Sequence, residues 1–192
     1  MDILDQIITW DKQLFIFLNS WGIEMLDPIF LAISKIVIWL PVYGIIIFLL
    51  FKKFDIKTAL VYVGAAILCV VLTDQISVHA FKNVFERLRP CWNTDLEGQF
   101  RLVKEYCGGQ YGFVSSHAAN TFGFATLMGI IFKDKIPQLR WMLLLWATLI
   151  SYSRIYLGVH FPLDVIFGAL LGSGIAMAVA KSSFFLEAKI RN

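Results

Sequence analysis

Residues 56–77 read IKTALVYVGAAILCVVLTDQIS. From Thr58 to Thr73 no side chain carries a charge, and about 20 mostly apolar residues are what a helix needs to cross the hydrocarbon of a bilayer. The same reading extends outward. Upstream, Ile29–Phe51 is another such run; downstream follow His117–Phe132, Leu139–Ile155 and Leu163–Lys181. The expected fold is an all-α, polytopic membrane helical bundle of about five transmembrane helices. The run at His117–Phe132 is short, so it is expected to begin inside a protein pocket rather than in lipid.

Composition agrees. Of 192 residues 58% are hydrophobic and 16% charged, against about half and a quarter in soluble domains. A soluble globule, a disordered chain and a nucleic-acid-binding module are excluded, which leaves membrane lipids as the surroundings. The length suits one domain over residues 1–192. Three cysteines do not make a disulfide scaffold.

Residues 1–27 read differently. Ile3, Leu4, Ile7, Ile8, Leu14, Phe15 and Leu18 recur at helical spacing, interrupted by Asp2, Asp5, Asp11 and Lys12. This predicts an amphipathic helix on the membrane interface, anchored by Trp10 and Trp21. An additional short span is the alternative, disfavoured by Asp11 and Lys12. The basic n-region and cleavage site of a signal peptide are missing.

Lys52, Lys53, Lys57, Lys133, Lys135, Arg140, Lys181, Lys189 and Arg191 all fall on one side of the predicted bundle. By the positive-inside rule that side is cytoplasmic. The other side holds the acidic N-terminal segment and the long stretch Val78–Ser116, where Glu86, Asp95, Glu97 and Glu105 dilute Lys82, Arg87, Arg89, Arg101 and Lys104. Loops this long in a small protein are usually functional. A helical extension through Val84 is expected there, then irregular structure around Pro90 and Gly108-Gly109.

The chemistry gathers at that extracytoplasmic side. The end of the second span, the start of the third, the end of the fourth and the start of the fifth all emerge there, so Lys82, Arg89, Ser115, Ser116, His117, Arg154, His160 and Asp164 can converge. Three cations repel one another unless an anion joins them, and arginine forks suit phosphate oxygens. Ser115 is a natural N-cap for the helix entered through Ser116 and His117, whose free N–H groups would face the same anion. Two histidines then supply nucleophile and acid. Pro162 suits a first helical position. His160 therefore sits just outside the helix, and Asp164 in its first turn can hold the imidazole. His160 is the better nucleophile and His117 the better acid.

Lys82-x6-Arg89-Pro90, Ser115-Ser116-His117 and Ser153-Arg154-x5-His160-x3-Asp164 together resemble the signature of the type-2 phosphatidic acid phosphatase superfamily. That superfamily includes membrane lipid phosphatases, glucose-6-phosphatase and the vanadium haloperoxidases; the stretch around His160 looks most like its bacterial membrane branch. The resemblance covers about residues 74–172. It implies a phosphate pocket of Lys82, Arg89, Ser115, Ser116 and Arg154, with His160 as nucleophile, Asp164 as its orienter and His117 as acid. It also implies hydrolysis of a lipid phosphate through a phosphohistidine, with no metal and no cofactor. Candidate substrates are undecaprenyl diphosphate, phosphatidylglycerol phosphate, phosphatidate and lipid A phosphate. A lipid phosphotransferase and a non-catalytic anion or lipid carrier are the alternatives. The family's middle motif reads Pro-Ser-Gly-His; here Val114 and Ser116 replace its proline and glycine, and the added hydroxymethyl narrows the pocket.

Several residues carry two readings. Ser153 either touches phosphate or caps a helix end. Asp74 either contacts a headgroup or structures the pocket floor. Lys35 either meets a second anionic group or snorkels. His79 lies off the Asp74–Lys82 helix face and is expected to be structural. Cys91 and Cys107 share the outer loop and form a disulfide if that side is oxidising, whereas Cys69 is expected to be a buried small residue. Tyr106, Tyr111 and Phe113 either shape the headgroup entry or anchor at the interface. Gly168, Gly172 and Gly174 are expected to allow close helix packing.

Overall fold

The structure, a computed structural model, describes residues 2–191 apart from Tyr106 and the side chain of Glu105. Tyr106, expected near the headgroup entry, thus lies outside the described residues. The described chain is helical, with one isolated antiparallel bridge, Leu88 to Tyr111. The helices are α1 (Ile3–Asn19), α2 (Asp27–Ile33), α3 (Leu40–Lys53), α4 (Ile56–Ile76), α5 (Asn83–Phe85), α6 (Ser116–Ile131), α7 (Gln138–Tyr156) and α8 (Pro162–Arg191).

Local chemistry sets their ends. Asp2 and Asp5 form a capping box on α1, and the Asp55 carboxylate accepts from the Lys57 and Thr58 amides at the start of α4. Each satisfies backbone donors that a helix N-terminus leaves over. The predicted span Ile29–Phe51 is broken. Lys35 is extended between α2 and a 3₁₀ turn, Ile36–Trp39, and Pro41 opens α3. The Trp39 indole donates to the Ile33 carbonyl across the break at 2.7 Å. The helical extension expected through Val84 is present: α4 continues through a π-helical turn, Ser77–Lys82, into α5, which ends at Phe85.

Among the described residues three stretches are long and apolar enough to cross a membrane unaided: Ile36–Lys53, Ile56–Phe85 and Pro162–Arg191. A fourth is at most the pair Ile3–Asn19 and Glu24–Ile33, bent by 85°. The count of five therefore does not rest on apolarity and length alone. α6 is only 16 residues long and lies at the centre, packed mainly against α8 and α7 and then α4. A helix solvated by protein on most sides does not need the length or apolarity of one solvated by lipid.

The α6–α8 contact is close because Gly168 and Gly172 carry no Cβ. A methyl on Gly168 would lie 2.6 Å from the Ser115 carbonyl oxygen, and one on Gly172 would run into the Ala119 carbonyl. Gly174, expected to behave alike, faces open space. Cys69 is buried against Gly123.

α1 departs most from expectation. Trp10 and Trp21 are exposed, but Asp11, Phe15 and Asn19 form a buried stripe. Phe15 packs edge-on against Phe100 and Phe161. The Asn19 amide donates to the carbonyls of Arg101, Ile155 and Tyr156, and its oxygen accepts from the Arg101 amide. Asp11, read from sequence as an interruption of an amphipathic face, lies inside the protein at 3% exposure.

Candidate active site

The site sits where α4 ends, α6 begins, α7 ends and α8 begins. The long loop covers it. Residues 87–89 run antiparallel to 110–112, with Gly112 N–H donating to Arg87 O at 2.8 Å and Arg89 N–H to Gln110 O at 3.1 Å. Cys91 and Cys107 are disulfide-bonded beside this pairing, with Cα atoms 5.8 Å apart. Gly112 allows the loop to lie on the site: a Cβ there would come within 3.0 Å of an Asp164 carboxylate oxygen and 3.5 Å of His160 Nδ1.

His160 follows α7 in a tight turn and is 1% exposed. Its Nδ1 lies 3.3 Å from Asp164 Oδ2, and the same oxygen accepts from the Phe161 amide at 2.9 Å. Pro162 opens α8. Burial pushes the His160 imidazole well below its ordinary range, the Arg89, Arg154 and Lys82 charges add to that, and a hydrogen bond to the Gly112 backbone opposes them. A neutral imidazole with Nδ1 held by a carboxylate leaves Nε2 as a nucleophile.

The three cations all act electrostatically on this ring. Lys82, brought inward by the π-helical turn, donates to Ser116 Oγ at 2.7 Å, and Ser116 Oγ lies 2.7 Å from Ser77 Oγ. Such turns recur at functional sites. Arg89 Nε donates to the Tyr111 carbonyl at 3.2 Å, and Arg154 Nη1 contacts Ser34 Oγ. Lys82, Arg89, Arg154 and His160 all lie within electrostatic reach of His117. α6 starts at Ser116, so the amides of Ser116, His117 and Ala118 lack intrahelical acceptors. Ser115 holds the N-cap position, but its side chain does not cap. Its buried hydroxyl has no hydrogen-bond partner among the described residues, while its amide donates to the Asp164 carbonyl at 2.9 Å.

Other residues resolve simply. The Ser153 hydroxyl donates to Ile150 O in its own helix at 2.6 Å. His79 and Lys35 are exposed. Phe113 packs among Phe81, Phe85 and Phe167. Asp74, with His117, Ser116 and Asn120, lines a groove of ≈ 310 Å³ bounded by Trp39, Tyr43 and Ile150.

Sequence reasoning missed Arg87 and Asp11. Arg87 Nη1 donates to Asp164 Oδ1 at 2.7 Å and Nη2 to Asp11 Oδ2 at 2.5 Å, while the other Asp11 oxygen accepts the Leu163 amide at 2.9 Å. The guanidinium lies 4.4 Å above the Phe161 ring. One signal was available for Arg87: the residue before a proline is extended, so Arg87 and Arg89 share a face two residues apart. Asp11 had no such signal.

The PAP2 superfamily's sequence profile matches residues 58–187, which hold every proposed phosphate, nucleophile and acid residue. The chain belongs to the PAP2 superfamily. Among its PAP2 relatives, a "Lipid A 4'-phosphatase" of Porphyromonas gingivalis is 34% identical over 97% of this chain and 78% of its own length. An "Undecaprenyl-diphosphatase" of Sulfolobus acidocaldarius is 32% identical, over 90% of this chain and 78% of its own. The crystal structure of Aquifex aeolicus LpxE is 27% identical, covers 88% of this chain and 93% of its own, and superposes with a TM-score of 0.63.

Proposed function

We propose that this chain is a phosphatase that removes the phosphate monoester of a lipid A-type glycolipid, with His160 as nucleophile, Asp164 as its orienter and His117 as acid. The observation that carries the reading is the buried His160 held by Asp164, with Lys82, Arg89 and Arg154 all within electrostatic reach of the ring. His160 Nε2 attacks phosphorus, the P–O bond to the lipid breaks, and His117 protonates the departing oxygen. Water then attacks the phosphohistidine, gives a proton to His117, and the P–N bond breaks to release phosphate. Lys82, Arg89, Arg154 and the α6 amides hold the equatorial oxygens, whose charge develops in a site sheltered from water. Among the described residues no cluster of three or more His, Cys, Asp or Glu is placed to hold a metal.

Residues 1–192 act as one domain, since α1 reaches into the site. The basic helix ends lie at the opposite end of the bundle, which supports a site on the extracytoplasmic face of the cytoplasmic membrane. The lipid A-type substrate is favoured over undecaprenyl diphosphate by the Porphyromonas relative.

The test is phosphate release in detergent, with chelator present, from a panel of glycolipid phosphate, undecaprenyl diphosphate, phosphatidylglycerol phosphate and phosphatidate. Turnover of the glycolipid by the wild type, and none by His160→Ala in protein that still inserts, is expected. Full phosphate release by His160→Ala would sink the assignment. Labelled phosphate appearing on an added acceptor alcohol instead of in solution would make the protein a phosphotransferase.

A further inference from the structure

The groove beside His117 says something about what leaves. In-line displacement puts the departing oxygen opposite the nucleophile. His117 lines the groove and His160 does not, so the groove is the leaving-group side. Most of its wall is apolar, from Ile33, Ile36, Trp39, Tyr43 and Ile150. Two polar side chains stand out within it. Asn120 accepts from the Thr73 hydroxyl at 2.6 Å through Oδ1, and its NH₂ has no acceptor among the described residues. Asp74 accepts only a long contact, 3.4 Å, from its neighbour Gln75 through Oδ2, and Oδ1 is unengaged among the described residues. Polar groups at membrane depth are costly and tend to be functional. A carboxylate that accepts and a carboxamide that donates, side by side, match the hydroxyl and amide groups of a sugar. The carboxylate is also a like charge for any leaving group that carries its own phosphate. Lys35 is exposed and does not line the groove, and Lys82, the cation within electrostatic reach of Asp74, is engaged by Ser116 Oγ at 2.7 Å.

Building on the phosphatase reading above, we infer that Asp74 and Asn120 form a leaving-group subsite for an uncharged sugar, and that Asp74 selects against diphosphates. The chain is thereby a hydrolase of glycolipid phosphate monoesters rather than of polyprenyl diphosphates. The test compares kcat/KM of the full detergent-purified protein for a phosphorylated diglucosamine lipid and for undecaprenyl diphosphate. Wild type should prefer the glycolipid by at least about tenfold. Asp74→Asn should reduce that preference by about tenfold, mainly by improving the diphosphate, and Asp74→Glu should restore it. Asn120→Leu should reduce it by raising KM for the glycolipid. A wild type that prefers the diphosphate overturns the inference even if no variant folds. An Asp74→Asn ratio equal to wild type overturns it while leaving the phosphatase reading intact. No release from either lipid removes both.

Discussion

Arg87→Ala is the substitution that most directly probes the network behind His160. One guanidinium bridges two carboxylates whose side chains are 1% and 0% exposed, Asp11 and Asp164. Removing it leaves both without their cation, although Asp11 keeps the Leu163 amide and Asp164 the Phe161 amide. Breaking a buried ion pair costs about 3–5 kcal/mol. Arg87 itself is 22% exposed, so water reaches the gap and the lower end, about 3 kcal/mol, applies. In a protein of this size that lowers Tm by roughly 6–12 °C. The rate falls for a separate reason: Asp164 loses one of the contacts that aim it at Nδ1. Losing such a supporting contact costs about 10–100-fold, or about 1.4–2.7 kcal/mol of barrier. Because Arg87 is committed to carboxylates, the loss should appear in kcat with little change in KM. Arg87→Lys keeps the charge but not the two-pronged geometry and should fall between. The assay is steady-state phosphate release beside a thermal melt. An Arg87→Ala protein with kcat within about twofold of wild type would refute the positioning role; a raised KM with kcat unchanged would recast Arg87 as a phosphate ligand.

Further outcomes follow from the same geometry. His117→Gln should lose far more activity on a lipid alkyl phosphate than in the first turnover of p-nitrophenyl phosphate, whose leaving group needs no acid. A burst of one nitrophenol per enzyme followed by slow turnover is the expected trace, and equal losses on both substrates would remove His117 from the acid role. Gly172→Ala forces a methyl into the Ala119 carbonyl and should cost about 1–3 kcal/mol, read as a Tm drop of several degrees; an unchanged melt would contradict the close α6–α8 contact. Reducing Cys91–Cys107, which closes a loop of 16 residues, should destabilise by about 3 kcal/mol. It should also loosen Arg89, so KM should rise; a melt insensitive to reductant would refute the loop-stiffening role.

Much of this was legible because membrane helices and phosphate chemistry leave strong marks. The Ile56–Ser77 run, the three spaced motifs and the Pro162–Asp164 helix start each encode their placement locally. What escaped was set by tertiary contact. Ser115 looks like a cap and leaves its hydroxyl unpartnered, because its amide instead meets the Asp164 carbonyl from another helix. Ile29–Phe51 is apolar throughout its ends, yet it breaks at Lys35, where the chain turns to bring Ser34 to Arg154. Asp11 reads as a surface charge, since its partners lie in parts of the chain that no local pattern connects to it.

Those partners also impose an order on assembly. Arg87 and Leu163 follow Asp11 by 76 and 152 residues, so when α1 leaves the ribosome neither exists. Arg87 can reach Asp11 before α8 is made, but the Leu163 amide can do so only once α8 has entered the bilayer. Only then is the nucleophile's support complete, so activity appears no earlier than the insertion of α8.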